Sequence, residues 1–179
     1  MRTFNCKIRF AADYLQARFT EINKEQLKKA TSAGGIGKFN DPDTFLYQDK
    51  SGIYIPAIHL KGAIDGVGMK IKLKGRTTAK LLAKACIFVK PSKIYLDRKQ
   101  RLGEIKSYVK RKDGNRVPIC HPIVCEEGEE IEFKLETTDD EWQDEVFKKI
   151  LIKAGQLAGI GGRRPQWGRF EVIKFEKEK

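Results

Sequence analysis

The amino-acid sequence predicts an α+β fold, with two helices packed on a four-stranded antiparallel sheet in the chain order β-α-β-β-α-β. Three observations predict it. Residues 4–10 and 170–175, near the two ends, alternate apolar and polar as half-buried strands do. A long amphipathic stripe follows Thr138-Asp139-Asp140-Glu141, which reads as a capping box. Between that helix and the last strand lies Gly159-Ile160-Gly161-Gly162-Arg163-Arg164-Pro165-Gln166-Trp167-Gly168-Arg169, a glycine- and arginine-rich loop fit to cradle an anion. The 179 residues suffice for one domain, 1–179, with a large insertion at about 66–125.

In order, Phe4, Cys6, Ile8 and Phe10 form the inner face of a first strand. The spacing predicts a helix over 14–31 with Ile22, Leu27 and Ala30 inward, ended by the glycines and proline of 32–43. Phe45 to Gln48 reads as a short strand and Asp49-Lys50-Ser51-Gly52 as a turn. The apolar run from Ile53 meets Pro56, and a helix follows from Ile58 to Met69. Thr77 or Thr78 can cap a short helix through Ala85. Cys86 to Val89 and Ile94 to Leu96 have buried-strand patterns. Residues 105–109 and 116–119 flank Asp113-Gly114, a hairpin signal whose basic tip (Lys110, Arg111, Lys112, Arg116) reads as an exposed finger. Ile131 to Glu136 alternates as a strand. The next helix puts Trp142, Val146, Ile150 and Ala154 on one stripe and closes at Gly159, a natural C-cap. Without the insertion this is the ferredoxin-like, RNA-recognition-like (RRM-like) arrangement, with a basic insertion and a β-hairpin finger added.

Charge is unevenly placed. The net charge is +12, yet Lys61 to Lys112 holds 16 basic residues against three acids, and Glu126 to Glu145 holds 11 acids against Lys134 alone. Such a chain offers one face to a polyanion and another to solvent or a basic partner. No apolar run approaches the ~20 residues that span a bilayer, so a membrane partner is not expected and the chain reads as cytoplasmic. Cys6, Cys86, Cys120 and Cys125 match no common zinc module and read as small buried apolar residues.

Three landmarks in order resemble the RAMP (repeat-associated mysterious protein) superfamily of CRISPR-Cas systems, chiefly its guide-RNA-binding backbone subunits of type III. Residues 159–170 resemble that family's glycine-rich loop between last helix and last strand. Ile55-Pro56-Ala57-Ile58-His59-Leu60-Lys61-Gly62-Ala63-Ile64 resembles its "IPGSSLKGALR" segment, with Ala57-Ile58-His59 in place of the small hydroxyl residues. Glu127-Gly128-Glu129-Glu130-Ile131-Glu132-Phe133 resembles the segment that precedes its last helix. Asp43 stands where the family has an aspartate that takes part in cleaving target RNA. The resemblance implies a CRISPR-associated, antiviral-defence protein that binds single-stranded nucleic acid. RNA is the first expectation and single-stranded DNA the second, with self-assembly along the nucleic acid or docking to other CRISPR subunits.

The chemistry expected of the loop is phosphate binding. Gly159, Gly161 and Gly162 would present backbone N–H groups as an anion nest. Arg163, Arg164, Arg169, Lys61 and the run Lys70, Lys72, Lys74 would neutralise phosphates. Trp167 would stack on a base or else close the helix–strand junction. Two residues are candidates for catalysis, His59 as general acid or base and Asp43 as a metal-binding carboxylate, which would make the chain an endoribonuclease. No cofactor is expected, and Mg²⁺ only for a nuclease. A third reading is an interaction protein, for instance a viral mimic, that caps a CRISPR assembly through its acidic stretch.

Overall fold

A computed structural model describes residues 1–18, 20, 25, 39–73, 78–110, 114 and 116–178. Ten strands carry the architecture: β1 (Arg2–Phe10), β2 (Tyr14–Leu15), β3 (Gln48–Asp49), β4 (Gly52–Pro56), β5 (Ile87–Lys90), β6 (Lys93–Tyr95), β7 (Gly103–Lys110), β8 (Arg116–Cys125), β9 (Glu130–Thr137) and β10 (Phe170–Lys177). Two α-helices resolved in full among the described residues join them, α1 (Ala57–Val67) and α2 (Asp144–Lys153).

The main sheet runs β10-β1-β9-β5 and is antiparallel throughout. With α1 before β5 and α2 before β10, this is the ferredoxin-like order, and the fold is α+β as expected. Alternation explains why these strands form. Phe4, Cys6, Ile8 and Phe10 of β1, and Ile131, Phe133 and Leu135 of β9, are buried against Leu60, Ile64, Phe147, Ile150 and Leu151 of the helices.

The opposite face of the sheet is polar and neutralises itself. Lys7 pairs with Glu130 (3.0 Å) and Glu132 (3.2 Å), and Arg9 pairs with Glu130 (2.7 Å). Its two central strands present Thr3, Asn5, Lys7, Arg9 and Glu130, Glu132, Lys134, Glu136, with no ring on which a base could stack. The two central strands therefore lack stacking rings, and the ring on this face is Phe88 of the edge strand β5, 41% exposed opposite Glu136.

Residues between β5 and β9 supply β6, β7 and β8, which join the earlier strands β2, β3 and β4 in two further sheets, β2-β8-β7 and β3-β4-β6. The β7–β8 hairpin forms where Asp113-Gly114 predicts it, with Lys110 opposite Arg116. The finger is only half exposed, because β8 is buried along most of its length. β5 lies within the stretch 66–125 expected as an insertion, and is nonetheless the fourth strand of the main sheet.

Several expectations are corrected. The chain does not enter a helix at Tyr14; it pairs as β2 with Cys125 and Ile123 of β8. Gln16, Ala17 and Arg18 are not helical either, while residues 19, 21–24 and 26–38, with Lys74, Thr77 and Asp113, lie outside the described residues. The short strand expected over Phe45 to Gln48 lies later, at Gln48–Asp49, and Phe45 instead ends a 3₁₀ turn, Pro42–Phe45. A turn of π-helix over Leu82–Cys86 stands where a short helix through Ala85 is expected. The capping box at Thr138 does not form, and α2 begins later, after Gln143. Asp139 Oδ1 instead accepts from the N–H groups of Glu141 and Trp142, a local bond that competes with helix. Arg2 ties down this non-helical turn through Asp139 O, Trp142 O and Asp144 Oδ1, each at 2.6 Å.

Glycine fixes the close approaches. A Cβ at Gly155, just past α2, would collide with the carbonyl and ring of Phe170 in β10. Gly66 on α1 has open space above it. Gly155→Ala is expected to destabilise by about 1–3 kcal/mol, the usual cost of overpacking. Gly66→Ala should stabilise by about 0.5–1 kcal/mol, the helix preference of alanine over glycine. Urea denaturation of the two variants beside wild type checks both signs.

Candidate nucleic-acid interface

The loop between α2 and β10 is built from the inside by glycine. A turn of π-helix, Ala154–Ala158, extends α2, and Gly159 at φ 65° ends it, as the C-cap expectation required. Gly159 donates to Ala154 O (2.9 Å), Ile160 to Gly168 O (2.8 Å), Gly162 to Leu15 O (2.8 Å) and Gly168 to Asp13 O (2.8 Å). The anion nest expected from Gly159, Gly161 and Gly162 is thus not available. Most of its N–H groups are spent on the chain's own carbonyls, and Gly159 and Gly162 are buried. The glycines instead permit contact. A Cβ at Gly161 would collide with Leu15 O and the Tyr14 ring, and one at Gly168 with Ile160 O.

This packing sends the arginines outward. Arg163, Arg164 and Arg169 are exposed, Arg163 in the left-handed region at φ 58°. Among the described residues none of the three forms a salt bridge, whereas Arg2, Arg9, Arg98 and Arg101 all do. Trp167 is half-buried, and its N–H reaches back to Arg163 O at 3.4 Å.

The loop rests beside both histidines. An Arg164 nitrogen lies 4.0 Å from where a side chain at Gly62 of α1 would begin, one turn from His59. Burial first, and the Arg164 charge second, push His59 down to about 4. Its Nδ1 shares a 2.6 Å hydrogen bond with the buried Tyr14 hydroxyl, and Tyr47 meets the ring edge-on at 5.1 Å. The Arg18 guanidinium lies 5.8 Å above Tyr47. His121 is buried on β8 beside Gly162, and burial chiefly, with Arg163 adding, lowers its pKa too. The result is a ring cluster in which half-buried His59 and Tyr47 lie over buried Tyr14, with the Arg18 and Arg164 guanidinium groups beside them, a chemistry that suits an anion.

Other expected ligands are elsewhere. Lys61 is clamped inside the fold by Asp65 (2.6 Å) and the carbonyls of Ala83 and Lys84, so it is no phosphate ligand. Lys70 and Lys72 are exposed, but lie beyond the far end of α1, roughly 16 Å along the helix from His59. Asp43 is held by Arg101 at 2.7 Å, and no group of three potential metal ligands occurs among the described residues. Tyr14, Tyr47 and Arg18 were not legible as site residues. Tyr14 and Arg18 fall in a stretch that reads as helix, and only the fold carries them to His59.

No protein-family model matches the sequence, and no curated protein matches it. Among solved structures the chain is similar to one from a Type IV-B CRISPR complex, at 12% identity and a TM-score of 0.47. The match covers 96% of this chain and 89% of that one. Among the described residues no helix is long and apolar enough to cross a membrane.

The two depressed imidazoles set a pH dependence. Each binds a proton less readily folded than unfolded, so between about pH 6.5 and 4 the unfolded state carries more protons. Stability is full above pH 6.5 and falls as pH drops toward 4. Denaturation midpoints at pH 7, 6 and 5 should decline in that order, and His59→Gln should flatten the decline.

Proposed function

We propose that this chain is a single-stranded nucleic-acid-binding protein of the CRISPR-associated RAMP type, with RNA the favoured ligand and guide RNA the one the resemblance implies. The observation that carries this reading is the set of three exposed guanidinium groups, Arg163, Arg164 and Arg169. Among the described residues they have no carboxylate partner, and they stand on a loop in which Gly159, Ile160, Gly162 and Gly168 donate to internal carbonyls. An arginine left unpaired beside a well-paired protein surface marks a place for an external anion. The ordered landmarks at 55–64 and 159–170 supply the RAMP assignment. On that assignment the protein works in an assembly, along the nucleic acid or with other CRISPR subunits.

A second reading, an endoribonuclease, has one observation in its favour. His59, neutral at pH 7 and tied to Tyr14, sits beside a guanidinium, an arrangement open to general base catalysis next to a phosphate. Cleavage of labelled RNA by wild type but not by His59→Ala, with and without Mg²⁺, would establish it.

The double variant Arg163→Ala/Arg164→Ala tests the main reading. It should weaken binding to a labelled single strand and lower the slope of log K against log salt by about 1.4, since each single-strand phosphate contact contributes about 0.7. Unchanged affinity and slope would remove the loop from the interface.

A further inference from the structure

The small sheet β3-β4-β6 has an aromatic outer face that lies outside the hydrophobic core. Its inner residues Ile53, Ile55 and Ile94 belong to the hydrophobic core. Tyr47, Tyr54 and Tyr95 do not, although they are three of the chain's five tyrosines. Tyr54 and Tyr95 are cross-strand partners, and Tyr95 keeps 46% of its surface exposed.

The rings form an unbroken series starting at the arginine loop. From His59 the centroid distances are 5.1 Å to Tyr47, 6.1 Å from Tyr47 to Tyr54 and 5.7 Å from Tyr54 to Tyr95. Interplanar angles of 61–88° mean that no ring is stacked flat upon the next. Cations accompany the series, with Arg18 over Tyr47 and Lys93 Nζ 4.7 Å above Tyr54. At the far end Asp49 Oδ2 accepts from Lys93 (2.6 Å) and from the Tyr95 hydroxyl (2.8 Å). An ionised carboxylate there repels phosphate and fixes the Tyr95 ring, so this end is made for bases rather than backbone.

We propose that Tyr47, Tyr54 and Tyr95 form a base-stacking subsite for single-stranded nucleic acid, continuous with the arginine loop. It rests on the reading of that loop as the phosphate-binding end. Aromatic rings in series beside cations are how sequence-tolerant single-strand grooves hold bases, and a duplex, with its bases already stacked, gains nothing from them. The subsite predicts a preference for single strands that arginines alone do not confer.

The test uses fluorescence anisotropy on the full chain, with labelled oligo-uridine about 15 nucleotides long, its oligo-deoxythymidine counterpart and a duplex of equal length. Tyr54→Ala/Tyr95→Ala should weaken single-strand binding about ten-fold or more and leave the salt slope unchanged. Tyr54→Phe/Tyr95→Phe should keep wild-type affinity, and Tyr95→Ala alone, at an exposed position, guards against misfolding of the double variant. Wild-type binding with equal affinity in the alanine variants overturns the subsite and leaves the arginine-loop reading standing. Failure of wild type to bind either single strand overturns both.

Discussion

Backbone-to-backbone contact at glycine is the constraint on which this architecture depends. Gly155 lets the end of α2 lie directly on the first residue of β10, and Gly168 lets the loop between them close on Ile160. With Ile160, Gly162 and Gly168 donating to internal carbonyls, the loop is rigid before any ligand arrives. Its side chains are the part left free, and three of them are arginines. A segment that reads as a backbone cradle thus works the other way round, as a platform whose guanidinium groups face outward.

Electrostatics then divides the surface. The open face of the main sheet pairs its lysines and glutamates with each other, so it presents charge without net attraction. Carboxylates gather around the start of α2, where Asp144 and Glu145 suit the positive end of the helix. The unpaired arginines stand where α2 ends and α1 begins, beside His59 and Tyr47. The net charge of +12 is shared between this edge and exposed lysines elsewhere, Lys70, Lys72, Lys84 and Lys90 among them.

The same edge shows how far residue type alone carries a site. Lys61 lies in a basic stretch that reads as ligand-binding, yet its ammonium group is used internally to hold Asp65 and two carbonyls. Asp43 is likewise occupied by Arg101. His59 gains its surroundings from far along the chain, since Tyr14, Tyr47 and Arg164 reach it only through β2, β4 and the C-terminal loop. A charge count cannot distinguish a lysine that holds the fold together from an arginine that waits for a ligand. The difference lies in whether an acid stands opposite, and that is a property of the packed chain.

Alternation in the sequence placed strands at 4–10, 86–89, 131–136 and 170–175, within a few residues of Arg2–Phe10, Ile87–Lys90, Glu130–Thr137 and Phe170–Lys177, while turn residues and glycine placed the hairpin and the end of the last helix. These are local consequences of side-chain alternation, turn chemistry and the φ freedom of glycine. The late start of α2, the pairing of Tyr14 as strand and the satisfaction of the glycine loop's N–H groups were decided only in three dimensions. Each turns on a partner distant in sequence: Arg2 for the turn before α2, β8 for Tyr14, and Leu15 and Asp13 for the loop. Local pattern fixes what a segment prefers to be, and long-range hydrogen bonding decides whether its polar groups remain available to a ligand.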